Sequence, residues 1–484
     1  MHTPFFPSFR ARFAACGLRS VNTLRQWTVA QLDQRLRDLL PAQLLASEDE
    51  GPHSRERIYS LRLTLECFLW QVLQCNTSCR EVVRQVQALF GLANRSPVDE
   101  GNSAYVQARH RLPRDRFDQL LRATAQAADR RTGQEGALQG RPVKVADGSG
   151  CQLPDTAANQ RRFPQPPTQK RGCGFPVLRF VALFSLASGA ILDVVWDTLS
   201  HHDLKLFWRL WESLRAGDIL LGDRAWGEYL TLAGLPLRGV DVVARVHQRR
   251  KVDFRKGRRL GHQDRLFQWK KGPNVPPYLT TETWATIPER VTVRVIRFTA
   301  AIRGHRARRI TLVTTLLDPE LYPATELIAL YARRWNLELC FRDLKTTLGM
   351  EQLRCKSPAM VEKELLAFMV AHNLVRCLMA EAAALHGAPL DRLSFKGSLD
   401  ALRQFSIAIP QGRNRKSRQR LWADLLKTLA RDLVPRRPGR REPRALKRRP
   451  KPYPLLTQPR HRYKEILHRC RYRKGHKRNL RTLN

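Results

Sequence analysis

The feature that most limits what this chain can become is a change of period near Pro142. Upstream, Leu61, Leu63, Leu65, Phe68, Leu69, Val72 and Leu73 make a dense apolar stripe with few strand signals, and Arg114, Phe117, Leu120 and Leu121 fall in a second helical stretch. Residues 21–130 therefore read as helical, and the polar, Gly-rich run 133–140 as a break. Downstream, Pro142-Val143-Lys144-Val145-Ala146-Asp147 alternates like a strand that stops at Gly148. Phe180–Leu186 and Ile191–Trp196 read as a hairpin around Ser188-Gly189, and Asp218–Leu221 and Asp241–Val246 as further strands. Ser200-His201-His202-Asp203 reads as a capping box opening a helix through Leu214. Val291, Val293, Val295 and the run Ile310–Leu317 carry β-branched signals through 247–316. Pro323 then precedes a long helix over about 325–348, and Val361–Ala384, free of Gly and Pro, is another. There is no internal repeat. The pattern is that of an α/β chain with a β-rich centre between helical regions.

Charge narrows the partners. The chain has 484 residues and carries 86 Lys and Arg against 43 Asp and Glu, a net +43. A hydrophobic fraction of 43% excludes wholesale disorder. So large an excess calls for a polyanion: nucleic acid first, an anionic membrane surface second. The longest apolar stretch, Val177–Trp196, is broken by Arg179, Ser188-Gly189 and Asp193, which excludes a lipid-spanning helix of about 20 residues there. The first acid is Asp33, and the Arg-bearing start reads as a basic arm rather than a targeting peptide. From 411 to 484 there are 26 Lys and Arg against 4 Asp and Glu, with six prolines between 435 and 454, so 411–484 reads as an extended or disordered basic tail. Ten cysteines contain no C-x-x-C and no zinc-type spacing; Cys75 and Cys79, one turn apart, read as buried thiols. A reducing cytoplasm is the expected compartment.

The chemistry sits in carboxylates. Asp147 ends one strand and Asp223 another, and an acid at a strand end aims into a crevice. Asp147-Gly148 and Gly222-Asp223 are also good turn pairs, and on spacing alone the turn reading stays open. The helix from about 325 adds to the acids. At about 100° per residue, Tyr331, Arg334, Glu338 and Lys345 share a stripe about 60° wide, beside the apolar stripe of Leu330, Leu337, Phe341, Leu344 and Leu348. Glu338 and Lys345 are seven apart, which does not serve an i,i+4 ion pair. Acids brought together suit a hard divalent cation, and the flanking cations suit phosphate.

Tyr331-x2-Arg334-x3-Glu338-x6-Lys345 resembles the Y-R-E-K signature of bacterial insertion-sequence transposases of the insertion sequence four family. Val145-Ala-Asp147-Gly-Ser149, Gly172-Cys-Gly-Phe-Pro176 and Leu220-Leu-Gly-Asp223-Arg-Ala-Trp226 look like further blocks of that family, over roughly residues 55–400. The resemblance implies an RNase H-like mixed-sheet catalytic core at 141–400 with a β-strand insertion at about 247–316. It also implies a helical DNA-end-recognition domain at 1–135. It makes Asp147, Asp223 and Glu338 the catalytic, metal-binding acids, with Tyr331, Arg334 and Lys345 on DNA backbone. Two Mg²⁺ ions, replaceable by Mn²⁺, would serve cleavage of transposon-end DNA and joining of 3′ ends to target DNA, in a homodimer holding paired ends. The expected place is the bacterial cytoplasm, on the nucleoid, with no membrane partner. Arg109, Arg111 and Arg114 are either end-DNA contacts or a solvated helix face. Trp269 and Trp284 lie in the insertion, where some relatives hold a flipped base; the alternative is packing, as expected for Trp226 and Trp335. The rival functions are a structure-selective nuclease of the same fold and a non-catalytic, transposase-derived DNA-binding protein. An RNA-binding role lacks the aromatic pattern of RNA-recognition strands.

Overall fold

The computed structural model describes residues 58–435 except 93–96, 134–136, 248, 301–307 and 410–411, together with 459, 462–465 and 480–482. The readings of 21–57, of the basic arm at the start, and of most of the tail beyond 435 lie outside the described residues.

Four helices come first: α1 (Leu61–Leu73), α2 (Cys79–Leu92), α3 (Ser103–Arg111) and α4 (Arg114–Thr132). Ser60 caps α1 by accepting from the Leu63 backbone N–H. A small cluster of Tyr59, Cys67, Val82, Val83, Val86, Val98, Tyr105 and Ala108 joins α1 to α3. The opposite side of α1, with Phe68 and Val72, and the face of α4 bearing Phe117, Leu120 and Leu121 enter the main core. The two cysteines of this region depart from the expectation of buried thiols: Cys75 is exposed and Cys79 half-buried, because Cys75 leaves the helix with φ 54°.

The β-rich centre forms one nine-stranded sheet. Its strands are β1 (Val143–Gln152), β2 (Val177–Ser185), β3 (Ile191–Thr198), β4 (Ile219–Gly222), β5 (Asp241–Arg245), β6 (Arg258–Gly261), β7 (Asp264–Lys270), β8 (Arg290–Ala300) and β9 (Arg308–Thr314). Their spatial order is β3-β2-β1-β4-β5-β9-β8-β7-β6. Strands β1, β4 and β5 run parallel, and β2 runs antiparallel to both β1 and β3. This 3-2-1-4-5 order is the RNase H-like arrangement. The inserted strands do not form a separate sheet: β9 pairs with β5 through Val243↔Thr314 and carries the sheet onward to β6.

Strand alternation gives the sheet two apolar faces. Val143, Val145, Ile219, Leu221 and Val243 face the main core, which is centred on α11 (Pro358–His386). Ala146, Leu220, Val242 and Ala244 face the other side, where α6 (Asp203–Trp208), α7 (Tyr229–Gly234), Trp226, Trp269 and Trp284 pack. Helix α6 ends at Trp208 rather than running through Leu214; a 3₁₀ turn, Trp211–Ser213, takes its place. Short helices α5 (Ala157–Arg162) and α8 (Thr281–Thr286) sit in connections. Helix α11 is long and apolar enough to cross a membrane, yet 89% of its most apolar window is buried here. Asn373 on α11 ties the layers together, accepting from Ile191 N (2.8 Å) and donating to Ile191 O (2.9 Å) and Leu121 O (3.3 Å).

Two helices follow, α12 (Phe395–Ala408) and α13 (Arg415–Arg431). Helix α13 corrects the expectation of an extended arm from 411: Leu425, Leu426 and Leu429 are buried in the main core, and Asn414 caps the helix by accepting from Ser417 N at 2.8 Å. Its charge count hid an ordinary amphipathic helix.

Candidate active site

Strand β1 does not stop at Gly148. It pairs with β2 through Gln152, so Asp147 lies in mid-strand opposite Ala182. Its parallel partner β4 is shorter: Val145↔Leu221 is the last pair between them. Two residues further along each strand stand Asp147 and Asp223. The register therefore brings the two acids level where β1 and β4 part, the crevice that parallel strands leave at their carboxyl ends. Alternation sets Asp147 and Ser149 on the face of Val143 and Val145, toward the main core.

Both neighbouring glycines turn out to be packing residues rather than turn residues, and both have negative φ. A Cβ on Gly148 would stand 2.7 Å from the Asp203 carboxylate, which lies against the back of β1. A Cβ on Gly222 would stand 2.2 Å from the Trp226 ring. Arg179 on β2 holds Asp203 with two bonds, Nε to Oδ1 at 2.5 Å and Nη2 to Oδ2 at 2.9 Å.

The helix expected over 325–348 is broken twice. Helix α9 (Ala324–Arg333), preceded by Pro323, gives way at Arg334 to α10 (Trp335–Arg342). The break is a tightening: Arg334 N bonds Tyr331 O (3.1 Å) and Leu337 N bonds Arg334 O (3.0 Å), both i to i+3. A π turn, Asp343–Thr347, then widens the path, with Leu348 N bonded to Asp343 O at 2.9 Å. The four signature residues straddle both irregularities. The Arg334 guanidinium lies 5.8 Å from the Tyr331 ring centre and donates to Glu338 Oε1 at 3.4 Å. Lys345, on the π turn, donates to Ser149 Oγ on β1 at 3.3 Å. Trp335 is 60% exposed, which corrects its reading as a packing residue; Trp226, Trp269 and Trp284 are buried.

Electrostatics ties the acids together. The Asp147 carboxyl is pushed up to about 6, chiefly by burial; the charges of Asp223 and Asp203 add to this, while the Gly148 N–H and Arg334 oppose it. Asp223 accepts from Ala225 N at 2.7 Å, which fixes its side chain beside the strand end. Two acids, Asp147 and Asp223, thus share a half-buried crevice, and Arg334, which holds Glu338, also acts on Asp147 through its charge. Among the described residues, no three Asp, Glu, His or Cys side chains gather closely enough to hold an ion. Glu338, with its side chain 43% exposed, is held by Arg334 instead.

The N-terminal arginines separate. Arg109 is buried, donates to Gln71 Oε1 at 3.3 Å and lies 4.9 and 5.2 Å from the ring centres of Phe68 and Tyr105; it is neither a surface contact nor a solvated helix residue. Arg114 reaches Glu362 at 3.4 Å and the Trp196 ring at 4.7 Å, and Arg111 is exposed. The sequence reading passed over Ser149 as a partner of Lys345 and over the Arg179–Asp203 pair. Period-2 parity, with Gly148 and Gly150 alternating against Asp147 and Ser149, is the signal that points to Ser149; the Arg179–Asp203 pair has no local signal.

The Transposase DDE domain family matches residues 138–374, which include every acid and cation of this site. The chain is 26% identical over 403 residues to the transposase InsG for insertion sequence element IS4 of Escherichia coli (strain K12), spanning 83% of this chain and 88% of that one. A solved piggyBac transposase synaptic complex with hairpin DNA aligns over 86% of this chain and 85% of its own, at 9% identity and a TM-score of 0.38. The protein is a DDE transposase, an enzyme that acts on DNA, and divalent-metal use comes with that class. Within that class, the chain is similar over most of its length to the transposase of insertion sequence element IS4.

Proposed function

We propose that Asp147, Asp223 and Glu338 are the acids of this transposase's catalytic centre, and that two Mg²⁺ ions, with Mn²⁺ as a substitute, are its cofactor. The observation that carries this reading is the register that levels Asp147 with Asp223 at the open seam of β1 and β4. The donor chemistry fits a hard cation. A carboxyl lifted to about 6 by burial and a like-charged neighbour is relieved by an ion shared between them. Glu338, now held by Arg334, would complete the set that holds the ion. Bound there, divalent metal supplies an activated oxygen nucleophile and stabilises the leaving oxygen of a phosphodiester.

The chain's own residues position the DNA. Arg334, once released by Glu338, offers a planar fork to a phosphate, and Lys345, anchored on Ser149, offers a point charge on the same face. Tyr331 borders them, half-buried against the main core. Hydrolysis at the element's end frees a 3′-OH, and in-line attack of that hydroxyl on a target phosphodiester joins the two. Paired ends call for two copies of the chain, acting on the nucleoid in the cytoplasm.

The test is Glu338→Gln, assayed for Mg²⁺-dependent cleavage of the element's own ends and for joining to target DNA. Loss of both, with DNA binding kept, is expected. Undiminished cleavage sinks the assignment, and cleavage without joining in the unmodified protein would make it a nuclease.

A further inference from the structure

The connection from β1 to β2, residues 153–176, is too organised for a plain linker. Its single Gln165 side chain uses every hydrogen-bonding valence of the amide within the loop. Nε2 donates to Gln169 O and Lys170 O, both at 3.0 Å; Oε1 accepts from Gly172 N at 3.0 Å and Gly174 N at 3.1 Å. Gln160 closes the frame from α5, accepting from Gln165 N at 3.1 Å and donating to Gly174 O at 3.0 Å. Gly172 takes φ 78° inside this clasp, and a Cβ on Gly174 would stand 2.9 Å from the Gln165 Cβ, so the clasp favours glycine at both positions.

The clasp presents charge. Arg161, Lys170 and Arg171 are exposed, and no acid occurs between Asp155 and Asp193. Arg162 is engaged by Asp197 at 3.0 Å. The loop is also laced to the chain just past Lys345. Gln152 N bonds Glu351 O (3.1 Å), Leu353 N bonds Gln152 O (3.0 Å), Thr156 Oγ1 bonds Lys356 O (2.9 Å), and Asn159 Nδ2 bonds Cys355 O (3.3 Å). The cations therefore stand at the far end of β1, the strand that carries Asp147 and receives Lys345 at Ser149.

We propose that the Gln165-clasped loop is a DNA-docking prong, with Arg161, Lys170 and Arg171 binding phosphates of the duplex that runs on from the Asp147–Asp223 crevice. Prior organisation is what makes a segment with two glycines and three prolines between Arg161 and Gly174 useful here. Ordering such a segment only on binding would cost backbone entropy for each residue fixed, and the clasp has met that cost on folding. The proposal rests on the transposase reading for its substrate. Its test is made in EDTA, so failure of the catalytic assignment leaves it untouched.

The experiment uses the full chain and a fluorescein-labelled duplex of about 40 base pairs and arbitrary sequence, with affinity measured across a KCl series. For Lys170→Gln/Arg171→Gln, the log–log salt slope should be shallower by about 2, one for each phosphate no longer neutralised. Affinity at low salt should fall about tenfold or more. The control, Arg215→Gln/Arg238→Gln, removes the same charge at the amino ends of β4 and β5, away from the crevice, and should change the slope far less. Gln165→Ala keeps every charge and should weaken binding several-fold. Equal effects from the two double variants mean bulk charge only and overturn the proposal. Wild-type affinity in Gln165→Ala overturns the role of the clasp, with thermal melting confirming that each variant is folded.

Discussion

Two regions supply the acids of this site, and they are built on opposite terms. Asp147 stands on β1 and Asp223 one residue past its parallel neighbour β4, where the ladder just before them fixes one register and a slip of one residue would reverse the face of every strand side chain. Glu338 and its companions stand on a helix that tightens at Arg334 and widens at Asp343–Thr347. The first region sets positions by the regularity of its backbone. The second departs from regularity at the residues that would touch substrate, where irregular helical turns are commonly found. Strand register gives a fixed floor, and the helix gives a wall whose side chains, Glu338 with Arg334 foremost, have a second partner available.

That contrast can be broken from the strand side with the largest effect. Asp223→Asn should lower Mg²⁺-dependent end cleavage by about a thousandfold or more, because several kcal/mol of charge stabilisation is lost and each 1.4 kcal/mol is a factor of about ten. Near-normal turnover would show that the levelled pair is not the reaction centre. Gly222→Ala comes next: the methyl meets the Trp226 ring, and overpacking should cost about 1–3 kcal/mol in urea unfolding. A variant as stable as the parent would mean the floor is softer than its packing indicates.

Asp147→Asn tests the same floor with the opposite sign. The folded carboxyl titrates near 6, above its ordinary 3.8, so the fold holds the proton better than the unfolded chain does. That contribution is full below about 4 and is lost as pH rises through about 6, leaving a charged, crowded carboxylate. Asn removes the cost. At pH 8, without metal, the variant should be more stable by about 1–3 kcal/mol while being inactive, and the gain should vanish near pH 4. A melt showing no gain at pH 8 refutes the strained-acid picture. On the wall side the effect is smaller. Ser149→Ala frees Lys345 at a cost of about 0.5–1.5 kcal/mol, so DNA half-saturation should rise about two- to tenfold with the maximal cleavage rate nearly kept. A fall in rate alone would place Lys345 in the chemical step rather than in binding.

The floor was the more legible region in the sequence. Period-2 runs such as Val143–Asp147 and the β-branched Ile310–Leu317 mark strands wherever they sit, and the hairpin at Ser188-Gly189 lies where its turn residues put it. What misled was Gly148. A glycine after an aspartate imitates a turn, whereas here it clears space for Asp203, a residue 55 positions away that no local pattern can announce. The wall was legible only as a helix. Tyr331-Ala-Arg-Arg-Trp335 contains no Gly or Pro, so nothing in its composition marks the tightening at Arg334 or predicts that Trp335 stands out in solvent. Helix α13 was masked for another reason: its Leu425, Leu426 and Leu429 stripe sits within the most basic sixth of the chain, and net charge outweighed periodicity in the reading.

The nine-stranded sheet has a consequence for solubility. In a five-stranded core of this order, β5 would be an outer strand, with Val242 and Val243 beside bare backbone donors and acceptors ready to recruit a strand from another molecule. The insertion occupies that border and moves it four strands outward, to β6. There the rim is only four residues long, Arg258–Gly261, and begins with two exposed arginines. Short, like-charged borders repel their own kind. The inserted strands thus act as a guard against edge-to-edge self-assembly.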